Sequence, residues 1–406
     1  MISFENYEQI KEFIANEVLI TSEATKFLNI SSQRLHQLIQ SGKLVPIKTT
    51  KSGSLFLKKD LEERKDEIIK AIKNKSSDSI VLQDFKFVKS EVVQEAVNYF
   101  TIHYLCKHSD KKTREAYLKL EKRIDTVHKE ISECISDVSN VLEISEVECR
   151  EAYNKVIEGF NTLHSTDIIV KKGEVLYPDL LIKTDEAPPF LFMRGNPDLL
   201  NYPAVSIVGA RKASEEGQKR AKVLAELLGT NRIVVASGLA KGIDRAAHLG
   251  ALNINSPTIA VIGTPISKYY PKENEKIQKQ IENEGLIISK FAPTTPVQRW
   301  NFPMRNAIMS GISLATVIVE ASETSGSLIQ ADYALKQKRI VFIPQSAIDN
   351  PLLKWPQKYI NRGACKFSTI SDLVSVLKEI KSETFNDLTY PEQISIFEGD
   401  NNNVSE

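Results

Sequence analysis

Five cations, Arg211, Lys241, Lys272, Arg299 and Arg305, stand in short segments of the second half of the chain that are rich in glycine or aromatic residues. Arg211 sits in Gly209-Ala210-Arg211-Lys212-Ala213-Ser214, and Lys241 in Ser237-Gly238-Leu239-Ala240-Lys241-Gly242-Ile243-Asp244. Lys272 follows Tyr269-Tyr270-Pro271, while Arg299-Trp300-Asn301-Phe302-Pro303-Met304-Arg305-Asn306 carries the other two. A last loop reads Glu320-Ala321-Ser322, then Ser325-Gly326-Ser327. Glycine lets backbone approach a ligand, and a helix entrance offers amides and a positive dipole end to anions. Cations that track phosphates, beside rings that stack on bases, are the two parts of a sequence-tolerant single-strand site. Contacts to nucleic acid are therefore expected from Gly209, Arg211, Lys212, Ser237, Gly238, Lys241, Lys272, Arg299, Arg305, Asn306, Ser325 and Gly326.

The same loops argue against other chemistry. The first lacks the GxGxxG spacing of a dinucleotide fingerprint, and the second has no GK[ST] of a Walker A loop. No Ser-His-Asp set, metal cluster or nucleophilic cysteine is evident, so no catalytic residue, cofactor or metal is expected. Asp244 and Glu320 are expected to orient amides or cations, and His248 to cap or pack on its helix.

Short β-branched runs place these loops. They recur at Val205–Val208, Ile233–Ala236, Thr258–Ile262, Ile287–Phe291, Thr316–Glu320 and Ile340–Ile343, with a helical pattern between each pair. Strands alternating with helices imply an α/β fold, a Rossmann-like parallel sheet with its crevice at the carboxyl ends of the strands.

Tyr177-Pro178, Pro188-Pro189, Arg194-Gly195-Asn196, Ile207-Val208-Gly209-Ala210-Arg211, the loop from Ser237 to Asp244, Tyr270-Pro271 with Asn274, Phe302-Pro303-Met304-Arg305-Asn306 and Ser325-Gly326-Ser327-Leu328-Ile329 resemble, in order and spacing, the successive motifs of the DprA/Smf family. That resemblance implies a Rossmann-like domain that binds single-stranded DNA and helps load the RecA recombinase during natural transformation. It places Arg211, Lys272 and Arg299 among the family's DNA-contacting cations. Gln330 stands where the family usually has Thr, and Ala307 where it often has Arg, so one cation of the usual pocket is missing. Two alternatives are a nucleotide-sensing domain and a phosphoribohydrolase of the LOG type. The latter resembles a PGGxGTxxE loop, whereas this chain has Thr324-Ser325-Gly326-Ser327-Leu328-Ile329-Gln330 without the Glu.

At 406 residues the chain exceeds one ordinary domain roughly two- to three-fold. Four units are expected: a helix-turn-helix domain over 1–75, a helical linker or coiled coil over 76–165, the Rossmann-like domain over 173–381, and a disordered acidic tail over 382–406. In the first, helices over Ser22–Leu28 and Ser32–Ser41 precede a hairpin around Lys51-Ser52-Gly53. No acidic residue lies between Glu23 and Asp60, the footprint of duplex DNA binding. The stretch resembles the excisionase/MerR helix-turn-helix, with Ser32, Gln33, Arg34, His36, Gln37 and Lys51 facing the duplex. A small protein-binding module is the other reading.

In the linker, Tyr117, Leu120, Ile124, Val127, Ile131, Cys134, Val138 and Val141 repeat at steps of three and four. That seam fits a coiled coil pairing two copies as a homodimer, or equally a helix packed within its own chain. In the tail, Gln393, Ile394, Ile396 and Phe397 resemble the peptide that binds the replication sliding clamp. The formal charge of +1 argues against coating by a polyanion and leaves room for local patches. Four cysteines without CxxC spacing, no long apolar run and no signal segment point to a reducing cytoplasm and no membrane.

Overall fold

Apolar side chains that alternate between the faces of a strand give a sheet two buried sides. In a computed structural model, which describes residues 6–28, 32–40, 42, 44–50, 53–62, 90–124 and 129–380, the expected strands form such a sheet. A small N-terminal sheet holds β1 (Val18–Ile20), β2 (Lys48–Thr50) and β3 (Gly53–Leu57). The large sheet holds β4 (Ile168–Lys171), β5 (Phe190–Gly195), β6 (Ala204–Gly209), β7 (Val234–Ser237), β8 (Thr258–Val261), β9 (Leu286–Ser289), β10 (Ala315–Glu320), β11 (Ile340–Pro344) and β12 (Cys365–Phe367).

The large sheet runs β12-β11-β10-β6-β7-β8-β9-β5-β4. β5 is antiparallel to both its neighbours, and the other pairs are parallel. From β6 the chain adds β7 to β9 on one side and β10 to β12 on the other, so the order reverses between β6 and β10. A crevice opens at the carboxyl ends of strands at such a reversal. Val205 and Ile207 face one core with Val317 and Val319, and Ala204 and Val208 face the other with Ile318. The six parallel strands that were expected are present. β4, β5 and β12 had no counterpart in that reading.

Arg194-Gly195-Asn196 secures the antiparallel edge. Arg194 is buried and donates through Nε and Nη2 to Asp167 at 2.6 and 2.8 Å. Removing one partner of such a buried pair costs about 3–5 kcal/mol. Gly195 has φ +110°, and a Cβ there would lie 2.2 Å from the Gly285 carbonyl oxygen.

Of the two readings of the stripe, a coiled-coil seam or packing within the chain, the described residues show packing within the chain, carried on several elements. Helices span Glu91–Leu105, Asp110–Leu120, Ile135–Leu142 and Glu146–Phe160, with a 3-10 turn at Ile131–Glu133. The stripe is thus broken between Leu120 and Ile135 rather than carried on one helix. Asn98, almost fully buried, fixes the break: it donates to the Lys129 carbonyl at 2.7 Å and accepts from the Ile131 amide at 3.0 Å. These helices pack on the large sheet through Tyr99, Phe100 and Phe160, whose rings lie 5.4–5.9 Å from those of Phe190 and Phe192. Each buried ring of this kind stabilises by about 1.5–3 kcal/mol. Lys171 to Glu95 at 2.6 Å and Lys290 to Asp110 at 2.7 Å join the same two layers.

The N-terminal unit has helices Tyr7–Glu17, Thr21–Leu28 and Ser32–Gln40 and a sheet of order β1-β3-β2 around Leu28, Leu35, Leu38 and Phe56. His36, expected to face duplex, instead lies half-buried with Nε2 3.2 Å from Asp198 Oδ1. Asp198 belongs to the 3-10 turn Pro197–Asn201. The side chains of Ser32, Gln33, Arg34 and Gln37, the residue Lys51 and the tail with Gln393, Ile394, Ile396 and Phe397 lie outside the described residues. Among the described residues no helix is long and apolar enough to cross a membrane.

Candidate nucleic-acid interface

The reversal between β6 and β10 carries a crevice of about 730 Å³. The loop after β6 supplies Gly209, Arg211 and Lys212, and the loop after β10 supplies Ala321, Ser322, Ser325 and Gly326. Arg299, Phe302, Arg305 and Asn306 reach it from the first turns of the helix Asn301–Ile312 and the residues before it. Sequence reasoning had placed these eight together: Gly209, Arg211, Lys212, Arg299, Arg305, Asn306, Ser325 and Gly326 all line one space. The two loops are joined directly, since the Ala210 amide donates to the Glu320 carbonyl at 2.7 Å.

Charge in the crevice is graded by depth. Arg211, Lys212 and Arg299 are exposed on its walls. Arg305 is 4% exposed; its Nη1 donates to the Val261 carbonyl at 3.1 Å and lies 3.8 Å from Asp244 Oδ2. Burial lowers the Arg305 pKa and raises that of Asp244, and each offsets part of the other's cost. Arg305 thus lines the crevice as expected, but as a buried brace behind the exposed cations. Asp244 Oδ2 also accepts from the Ala240 amide at 3.4 Å, which ties the Ser237–Gly242 loop to the base of its helix. Gly242 has φ +71°, and a Cβ there would stand 2.3 Å from the Ala210 carbonyl oxygen, so this loop packs against the one after β6.

The structure does not bring the remaining expected contacts to the crevice wall. Ser237 is fully buried and donates to the Ile207 carbonyl at 2.7 Å. Gly238 lies beneath the Arg305 guanidinium. Lys241 pairs with Glu273, and Lys272 pairs with Glu275 at 2.6 Å. Ala307, where a missing cation was inferred, is buried and faces a different groove beside Lys290 and Tyr333.

An aromatic ladder runs along the rim. The Arg211 guanidinium sits 5.3 Å from the Phe302 ring centre, and the Tyr270 ring lies 5.4 Å further on at an interplanar angle of 37°. Phe302 packs on the bare α-carbon of Gly263, where a Cβ would meet it at 2.7 Å. Tyr270 is half exposed and presents its ring to solvent.

Glu320, expected to orient amides or cations, lies at the start of the helix after β6. Its Oε1 accepts from the Ser214 amide at 2.9 Å and its Oε2 from the Ser214 hydroxyl at 2.5 Å. Ser214 in turn caps the helix Glu215–Thr230 by accepting from the Gly217 amide at 2.9 Å. A helix start after the first strand of such a sheet is an anion seat. Here the Glu320 carboxylate stands beside that start and holds its N-cap residue, Ser214. The exposed cations lining the crevice among the described residues are Arg211, Lys212 and Arg299. The signal was the Ser at the place of a helix N-cap paired with an acid at the end of β10, visible only once β6 and β10 are neighbours.

The strand order and its crevice define a Rossmann-like α/β protein with cations on the crevice walls and a self-capped helix terminus. Comparison with known proteins narrows that class. The chain belongs to the DNA recombination-mediator protein A family, whose model matches residues 168–378. It is 42% identical over 174 residues to DNA processing protein DprA of Streptococcus pneumoniae, a match covering 43% of this chain and 61% of that one. With DNA processing protein DprA of Bacillus subtilis it shares 34% over 204 residues, 50% of this chain and 69% of that one. The chain thus spans less than two thirds of the length of the pneumococcal relative. The crystal structure of the Streptococcus pneumoniae protein superimposes with a TM-score of 0.52 at 28% identity, covering 68% of this chain and 92% of that one.

Proposed function

We infer that the crevice between β6 and β10 binds single-stranded DNA and presents it to a RecA-type recombinase. The observation that carries this reading is the pairing of three exposed cations, Arg211, Lys212 and Arg299, with the ladder Arg211, Phe302 and Tyr270. Phosphates would follow the cations and bases would stack on the rings. Glu320 at the helix terminus weighs against a mononucleotide or dinucleotide, whose phosphates would need that seat. The names of the relatives, DNA processing proteins, support the same reading. It is a binding function, with no step of bond cleavage assigned to any residue.

The N-terminal unit would hold duplex through Ser32, Gln33, Arg34, His36, Gln37 and Lys51, and the tail residues Gln393, Ile394, Ile396 and Phe397 would meet a sliding clamp. Fluorescence anisotropy with oligo(dT) of increasing length tests the central claim. Affinity should rise with length, fall steeply with salt, and drop in both Arg211→Ala and Arg299→Ala. Unchanged affinity in both variants would remove the site.

A further inference from the structure

A second cavity, of about 170 Å³, lies behind the first turn of the helix Asn301–Ile312. That turn is the wall between two spaces: Arg299, Phe302 and Asn306 face the crevice, while Trp300 and Met304 face the cavity. Rings dominate its lining, among them Tyr99 and Phe190, with Trp300 still 62% exposed on its solvent side. Lys107, exposed, stands at its edge.

Two polar atoms in this lining lack a partner among the described residues. Thr295 is 4% exposed and its buried Oγ1 makes no hydrogen bond; the His108 Nδ1 is likewise buried and unpaired. Burial beside His103 lowers the His108 pKa to about 4, so the ring is neutral at pH 7 and offers a hydrogen-bonding nitrogen without charge. A buried hydroxyl left without a partner is costly, so such atoms call for a hydrogen-bonding partner in the cavity, a role that a ligand's polar edge can fill. The volume is well below the roughly 300–1,000 Å³ of sites for whole small molecules. It equals about five or six waters at about 30 Å³ each, the scale of one flat heterocycle.

We propose that this cavity seats a single nucleobase of the strand whose backbone lies in the neighbouring crevice. The proposal rests on the single-strand reading above. The base leaves the Phe302 side of the helix turn, passes over Trp300, stacks among the rings and meets Thr295 Oγ1 and His108 Nδ1 with its polar edge, while Lys107 holds the adjoining phosphate.

The test uses the full chain and two labelled strands, oligo(dT) and a strand of equal length built of abasic sites. Thr295→Val exchanges an unpaired buried hydroxyl for a methyl, so its melting temperature should stay equal or rise. Trp300→Ala removes an exposed ring and should also leave folding intact. On oligo(dT), Thr295→Val should weaken binding by about two- to tenfold and Trp300→Ala by about fivefold or more. On the abasic strand neither variant should matter, whereas Arg211→Ala should weaken both strands. If Thr295→Val and Trp300→Ala bind oligo(dT) as the parent does while Arg211→Ala does not, the cavity holds no base and the crevice reading survives. If Arg211→Ala and Arg299→Ala are also silent, the crevice reading fails and takes the cavity with it. Equal losses on the two strands would likewise overturn a base-specific seat.

Discussion

The guanidinium of Arg305 occupies the space in which a side chain on Gly238 would stand: a Cβ at that position would lie 1.2 Å from Nη1. The loop after β7 and the helix Asn301–Ile312 therefore fit together only because one contributes no side chain and the other a long, flat one. Gly238→Ala should push Arg305 off the Val261 carbonyl and away from Asp244 and cost at least about 1–3 kcal/mol, as overpacking of a core does. Thermal unfolding would register this as a fall of several degrees. An unchanged melting temperature would show that Arg305 has another place to go.

Lys241 and Lys272 should contribute little to strand binding, since each is engaged by a carboxylate, Glu273 and Glu275, away from the crevice wall. Alanine at either should leave oligo(dT) affinity within about twofold, and the logarithmic salt slope within a few tenths. Arg211→Ala and Arg299→Ala should each reduce that slope by about 0.7, the value for one phosphate contact on a single strand. Salt titrations of the four variants separate the two pairs.

Parallel strands, helices and crevice cations were legible in the sequence because each has a local signature. Apolar runs spaced by helical patterns gave six strands of the large sheet, and glycine beside Arg or Lys marked the loops at their ends. What the sequence hid was non-local. Lys241 and Glu273 are 32 positions apart and meet only after β7 and β8 pair. The break in the heptad stripe comes from Asn98, more than thirty residues from the backbone it holds. Burial of Arg305 did have a trace: Asn301, Arg305, Ile308 and Ile312 recur at helical spacing and are all buried, so the guanidinium lies on the apolar face of its helix. Its charge outweighed that pattern in the reading.

Acid should loosen the sheet through His248. The ring is wholly buried, with Nδ1 2.9 Å from the Thr258 hydroxyl, and burial together with Arg305 lowers its pKa from 6.5 to about 3. Between those values the unfolded chain binds the proton and the folded chain does not, so stability is full above pH 6.5 and declines as pH falls toward 3. The loss is roughly 1.4 kcal/mol for each pH unit crossed in that window. His108, lowered to about 4, acts in the same direction. Urea unfolding at pH 7 and pH 5 measures the slope, and His248→Asn should flatten it. An equal slope in that variant would assign the acid sensitivity elsewhere.

Duplex binding by the N-terminal unit should be held back by the contact of His36 with Asp198. Asp198→Ala should raise affinity for duplex several-fold and leave oligo(dT) affinity unchanged. A variant that binds duplex no better than the parent would show that this contact does not mask a duplex surface.

On the single-strand reading proposed above, the contact of Glu320 with Ser214 would give the molecule a way to pass over abundant metabolites. Free nucleotides carry their charge in one compact cluster, suited to a vacant helix end, and would meet the Glu320 carboxylate there. A polymer spreads its charge along its length and can gather weak attractions from Arg211, Lys212 and Arg299 at once. On the same single-strand reading, one carboxylate at the end of β10 would let the scaffold discriminate by ligand length, and strands should be retained where mononucleotides greatly outnumber them.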